Sequence, residues 1–238
     1  MTTQSCDEVD APVEASDAGS SSVPGREFGM AKLAAAVLGR PRLDVLLYGA
    51  GHGLDHLDIA QLPRVRRVAV GDAVRLRDEP DVVDTSRPSK ETFDIVVAGG
   101  AIEQFRAPRK DFAQLFGFVH RAGIVVCSTD IYDGGDLGQR SDIFRGAFSY
   151  YTPEALRRIA KANRMHVDFR LPAASKGVAR PRARYVIFSH SQDVMESVCD
   201  FFGRTAYAPS EKPIRRSRAA GAAPRAAVPA DTRPSALG

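Results

Sequence analysis

The sequence predicts one doubly wound α/β domain: a mostly parallel β-sheet, helices on both faces, and a reversed terminal strand. Three observations predict it. Apolar stretches of strand length alternate with helix-length stretches along residues 27–210. The early strand candidates are continuously apolar, as strands covered on both faces are. The last two alternate instead, Val167 with Phe169 and Val186 with Phe188, and only a short helix-free link joins them. That pattern suits an antiparallel pair at a sheet edge.

The elements follow in order. Phe28–Leu38 is an Ala-rich helix with Met30, Leu33 and Val37 near one face. Leu43–Tyr48 is a buried strand, and Leu54–Leu62 a short helix stopped by Pro63. Val65–Val70 is the next strand, ending at Gly71–Asp72; Asp81–Asp84 is a weak third, and Phe93–Ala98 a strong fourth. Phe112, Leu115, Phe116 and Val119 recur at three- and four-residue steps, which predicts an amphipathic helix. Gly123–Ser128 is the fifth strand. Thr152 then reads as an N-cap with Pro153 at the first helical position, and Leu156 and Ile159 form that helix's apolar face. His166–Leu171 and Arg184–His190 are the late strands, and Gln192–Phe202 the last helix.

The two ends differ from this core. Residues 1–26 carry five acids and one arginine, and residues 211–238 carry six Lys/Arg against two acids. Both are rich in Ala, Ser, Pro and Gly and too poor in large apolar residues to offset their ordering entropy. They read as a disordered acidic tail and a disordered basic tail, the latter solvated rather than bound to phosphate. The start of the chain has neither the basic nor the apolar region of a secretory signal, and no apolar run reaches membrane-spanning length. Cys6, Cys127 and Cys199 form no disulfide framework or zinc spacing. These features predict a cytoplasmic protein; they set no oligomeric state.

Chemistry first appears in VLLYGAGHGLDHLDI, Val45–Ile59, where Gly49, Gly51 and Gly53 follow a strand. In doubly wound sheets a glycine turn after the first strand lies against the ligand. The dinucleotide fingerprint needs glycine at position 54, where Leu54 stands, and the Gly-Lys-Ser/Thr end of a phosphate loop is absent. Glycines at this spacing also make simple tight turns. The second strand adds Asp72, placed to accept hydrogen bonds from both hydroxyls of a ribose. Asp84, after the third strand, is placed to receive an adenine amino group.

With LLYGAGHGLDH, RVAVGDAVRLRD, FDIVVAGGAIEQF, CSTDIYDGGDLGQ, FSYYTPEALRRIA, VDFRLP, RYVIFSHS and YAPSE in this order, the chain from about Leu33 to Ser210 resembles the class I S-adenosylmethionine-dependent methyltransferases. It is similar to the branch that modifies bacterial sugars and polysaccharides. The resemblance implies a Rossmann-like, seven-stranded sheet with a reversed terminal β-hairpin. It implies S-adenosyl-L-methionine as cofactor, with Gly49, Ala50, Gly51 and Gly53 facing its methionine part and Asp72 holding its ribose. One departure is early. These enzymes usually carry an acid two residues before the first glycine, and here that residue is Leu47. Losing one charge-assisted contact to the cofactor's amino-acid end weakens it by about 1–2 kcal/mol. His52 and Asp55 are the candidates to compensate.

A second departure concerns a metal. Related methyltransferases carry E-x-x-E-H after the fourth strand and a further His before Ser-Tyr-Tyr, and in small-RNA 2′-hydroxyl methyltransferases these groups bind a divalent cation. The corresponding positions here are Gly100, Glu103, Gln104 and Ala147, so only Glu103 remains. One carboxylate with a neutral amide does not retain a catalytic cation, which predicts a metal-independent reaction. Glu103 is then the general base for a sugar hydroxyl. The loop Asp130–Phe144 sits where the family covers its acceptor, and Tyr132, Asp133 and Asp136 are placed to stack on and hydrogen-bond a small-molecule or glycan acceptor. Tyr150 and Tyr151 read as packing, and Arg180–Arg184 as a solvated edge. Two alternatives stand beside this reading. One is a methyltransferase fold that has lost catalysis and serves as a binding or assembly module. The other is a nucleic-acid methyltransferase, against which stand a mildly basic core, no aromatic platform among Lys and Arg, and no tryptophan.

Overall fold

The computed structural model describes residues 25–49, 55–72, 81–132, 147–172 and 183–203. Five helices are described: α1 Arg26–Leu38, α2 Asp55–Ala60, α3 Pro108–Gly117, α4 Pro153–Ala162 and α5 Gln192–Phe202. The strands are β1 Leu43–Tyr48, β2 Val65–Asp72, β3 Val82–Asp84, β4 Phe93–Gly99, β5 Val119–Asp130, β6 His166–Arg170 and β7 Ala183–Ser189, with a 3-10 turn at Ile102–Gln104. They form one seven-stranded sheet in the order β3-β2-β1-β4-β5-β7-β6. Strands β1 to β5 pair in parallel, and β7 runs antiparallel to both β5 and β6.

The continuous apolar runs explain the layering. Successive residues of a strand point to opposite faces, so a run without alternation supplies two cores. Leu43, Val45, Leu47, Ile95, Val97, Ile124, Val126 and Ile187 pack on one face with Met30, Ala31 and Ala34 of α1, Ile59 of α2 and Val194 and Val198 of α5. Their neighbours Leu46, Val96, Ala98, Val125, Cys127, Val186 and Phe188 pack on the other with Phe112, Leu115 and Phe116 of α3 and Leu156 and Ala160 of α4.

Local signals set the helix limits. The Thr152 side chain accepts from Ala155 N at 3.1 Å, and Pro153 occupies the first turn of α4. Ser191 caps α5 in the same way, through Val194 N. Helix α1 is capped from outside: Asp55 Oδ2 accepts from Phe28 N at 3.0 Å.

The structure differs from the sequence reading in a few places. Val119 belongs to β5, where it pairs with Phe93, and not to the helix before it. The helix stops at Gly117, and the β-branched residue that followed its spacing begins the next strand instead. Arg26, read as part of the acidic tail, is the first residue of α1. Gly25 precedes it as the N-cap; residues 1–24 and all of the basic tail lie outside the described residues. No helix among the described residues is long and apolar enough to cross a membrane.

Candidate functional site

Strand order reverses between β1 and β4, whose neighbours β2 and β5 lie to opposite sides. Ligands of open α/β sheets bind beyond the carboxyl ends of the strands at such a point. Gly49 follows β1 there. Its N–H donates to Gly71 O at 2.7 Å, which ties the ends of β1 and β2 together. Its φ is +68°, and a Cβ added to it would stand 3.1 Å from the Cβ of Ala101 beyond β4. A side chain at position 49 is therefore strained by conformation and by space. Ala50, Gly51, His52 and Gly53, expected to continue this cradle, lie outside the described residues.

Asp72 and Asp84 end β2 and β3 side by side in register. Asp84 is exposed and partly committed. Its Oδ1 accepts from Ser86 N at 2.8 Å and Ser86 Oγ at 2.5 Å, and its Oδ2 is 3.7 Å from Arg87 Nε. The Ser86 hydroxyl and N–H, aided by Arg87, hold its carboxyl below the usual range.

Glu103 lies in the 3-10 turn that follows β4. Residues 148–151 hold that turn from above: Phe148 N and Ser149 N donate to Glu103 O at 2.7 and 3.0 Å. Ser149 Oγ donates to Phe105 O at 2.8 Å, and Tyr151 Oη to Ile102 O at 3.0 Å. The turn is fixed through its backbone, while Glu103 Oε2 is buried and accepts no hydrogen bond among the described residues. Thr129 Oγ1, on the same strand face as Cys127, is buried and unpartnered as well. Burial and the nearby Glu103 charge push the Cys127 thiol up. Burial raises Tyr151 to about 12, with Glu103 adding to the rise and Ser149 opposing it. Tyr151 therefore stays a phenol at neutral pH and acts as a clamp on the turn that carries Glu103.

Tyr132 follows β5, and its N–H donates to Tyr151 O at 2.9 Å, so the expected acceptor residue stands next to the Glu103 clamp. Its neighbour Asp133, with Asp136, lies outside the described residues. Phe148 was not singled out in the sequence. It is 57% exposed beside Glu103, and the Arg106 guanidinium stacks 4.5 Å from its ring centre. Thr129 was missed too; only the fold brings it opposite the turn after β4.

The metal-type positions do not regain donors. Gly100 has φ +71°, and an added Cβ would meet Arg26 Nη2 at 2.9 Å. Gln104 is exposed. Among the described residues no three His, Cys, Asp or Glu side chains group to hold a metal ion. Asp55, a candidate to replace the acid missing at Leu47, uses its Oδ2 to cap α1.

No protein-family model matches the chain, and no curated protein matches it. Solved structures do. An S-adenosylmethionine-dependent methyltransferase from Clostridium acetobutylicum ATCC 824 superposes with a TM-score of 0.52 at 12% identity, covering 69% of this chain and 92% of that one. An O-methyltransferase family protein from Burkholderia thailandensis gives a TM-score of 0.51 at 14% identity, covering 69% of this chain and 55% of that one. At these identities the likeness is one of fold. The seven-stranded sheet with its antiparallel terminal hairpin is the class I methyltransferase fold.

Proposed function

We propose that the chain is an S-adenosylmethionine-dependent methyltransferase that methylates a hydroxyl of a sugar or glycan precursor without a metal ion. One observation carries the reading. Gly49 at positive φ, Asp72, and the buried, unpartnered Oε2 of Glu103 stand on one sheet edge around the β1–β4 reversal. The bound cofactor supplies an electrophilic methyl group on a sulfonium. Gly49 and the loop after it lie against its amino-acid end, Asp72 accepts from its ribose hydroxyls, and Asp84 Oδ2 accepts from its adenine amino group. Glu103 takes the proton of the acceptor hydroxyl, and Thr129 Oγ1 orients that hydroxyl. Phe148 and Tyr132 offer ring faces on which a sugar stacks.

Calorimetry with S-adenosylmethionine and S-adenosylhomocysteine tests the cofactor site. The wild-type chain binds both, NAD does not compete, and Asp72→Ala weakens binding by about 1–3 kcal/mol. A wild-type chain that takes up neither ligand at millimolar concentration overturns the reading. Methyl transfer continues in EDTA, because Gly100, Gln104 and Ala147 supply neither carboxylate nor imidazole. Activity abolished by EDTA and restored by magnesium or manganese shows instead that a cation is held.

The missing acid at Leu47 and the missing ligands beside Glu103 favour a second reading, a module that binds the cofactor without catalysing transfer. Tight cofactor binding with no transfer to any acceptor selects it.

A further inference from the structure

Helix α1 begins above the reversal point. Adjacent residues of a helix do not face each other, yet Arg26 and Glu27 both turn onto two consecutive glycines at the end of β4. A Cβ added to Gly99 would stand 2.1 Å from Glu27 Oε1, and one added to Gly100 would stand 2.9 Å from Arg26 Nη2. Arg26 Nη2 donates to Gly99 O at 2.9 Å and lies 3.4 Å from Glu27 Oε1. The pair is not closed off: the Arg26 side chain is 54% exposed and that of Glu27 23%. An exposed ion pair contributes little to stability, so stability does not account for its placement.

Three further features point to a ligand. Glu27 is on the α1 stripe that continues through Met30 and Ala31, which share a core cluster with Leu47, the position that lacks the acid. Asp55, at the start of α2, pins this turn of α1 through Phe28 N. Ser128 is in register with Gly99 on the neighbouring parallel strand, so its side chain emerges on the Glu27 face. Ser128 Oγ is buried there without a hydrogen-bond partner among the described residues.

We propose that Arg26 and Glu27 together recognise an α-amino-acid zwitterion, the amino-acid end of the cofactor, with Glu27 facing its ammonium and Arg26 its carboxylate. The inference rests on the cofactor reading above and assigns the acid lost from β1 to the first turn of α1. Opposite charges on neighbouring residues match opposite charges carried by one carbon, and the guanidinium has donors beyond the two it uses here. Ser128 Oγ completes the floor as a neutral partner.

The test is calorimetry of the full chain with S-adenosylhomocysteine and with 5′-methylthioadenosine, which lacks the amino-acid end. The wild type binds S-adenosylhomocysteine the more tightly. Glu27→Gln and Arg26→Met each weaken it about tenfold or more, the scale of a lost charged hydrogen bond, and leave 5′-methylthioadenosine binding unchanged. That unchanged binding also reports that each variant is folded. Equal loss for both ligands, or no loss for either, overturns the pair assignment alone. So does a wild type that binds the two ligands equally. A wild type that binds neither removes the cofactor reading and this inference with it.

Discussion

Glu103→Gln lowers methyl transfer by about ten- to ten-thousand-fold, the range for a lost general base or a misplaced acceptor. The substitution isolates the side chain. Glutamine keeps the shape, and the bonds from Phe148 N and Ser149 N reach the backbone oxygen of residue 103, which does not change. What disappears is the carboxylate whose Oε2 accepts no other hydrogen bond. Alignment of the acceptor supplies much of the rate of such a displacement, so residual transfer persists. The measurement is radiolabelled methyl transfer to nucleotide sugars and oligosaccharides, with nucleic acids as controls. An unchanged rate removes the base assignment, and preferential labelling of nucleic acid overturns the sugar reading.

Phe112→Ala destabilises the fold by about 3–5 kcal/mol, as expected when a buried aromatic leaves a cavity. Phe112 is fully buried at the centre of the α3 face. Its ring lies 5.1 Å from Phe105 and 5.5 Å from Tyr151, both edge-on, with Phe116 at 5.5 Å and Phe188 at 6.1 Å. Edge-on pairs add about 0.5–1.5 kcal/mol beyond area burial. A domain has only about 5–15 kcal/mol in total, so chemical denaturation resolves the loss clearly. A loss below about 1 kcal/mol shows that the cluster refills the space, contrary to close packing. Phe105 and Tyr151 both contact the Glu103 turn, so the variant also loosens the site at temperatures where it is still folded.

The central strands were legible because each had to supply two cores. Leu43–Tyr48 has the same bounds in sequence and structure, and so does Gln192–Phe202, where Ser191 supplies a cap. The alternation of the late strands marked them as an antiparallel pair. Helical spacing misled at Val119 because a three-residue step continues across a helix end when an apolar strand follows directly. The proposed site residues follow the same division. Gly49 and Asp72 stand at strand ends and Glu103 in the turn after β4, so their place on one edge follows from the sheet. Thr129, Phe148, Arg26 and Glu27 join the proposed site only through the fold, and no local pattern marks them. Gly99 and Gly100 were visible as glycines after a strand, but what fills the space over them comes from α1.

The placement of β7 between β5 and β6 also governs the order in which a growing chain can complete its sheet. Strand β5 is paired along one side with β4 as soon as both are made, but its other side waits for Ala183–Ser189. Until those residues leave the ribosome, a mostly apolar strand presents open backbone donors and acceptors, the template on which neighbouring chains associate. Nor can β6, made earlier, cover that edge, because its partner is β7. A chain interrupted before β7 thus carries the proposed site residues but still has an unprotected sheet edge, so solubility depends on a strand that supplies none of them.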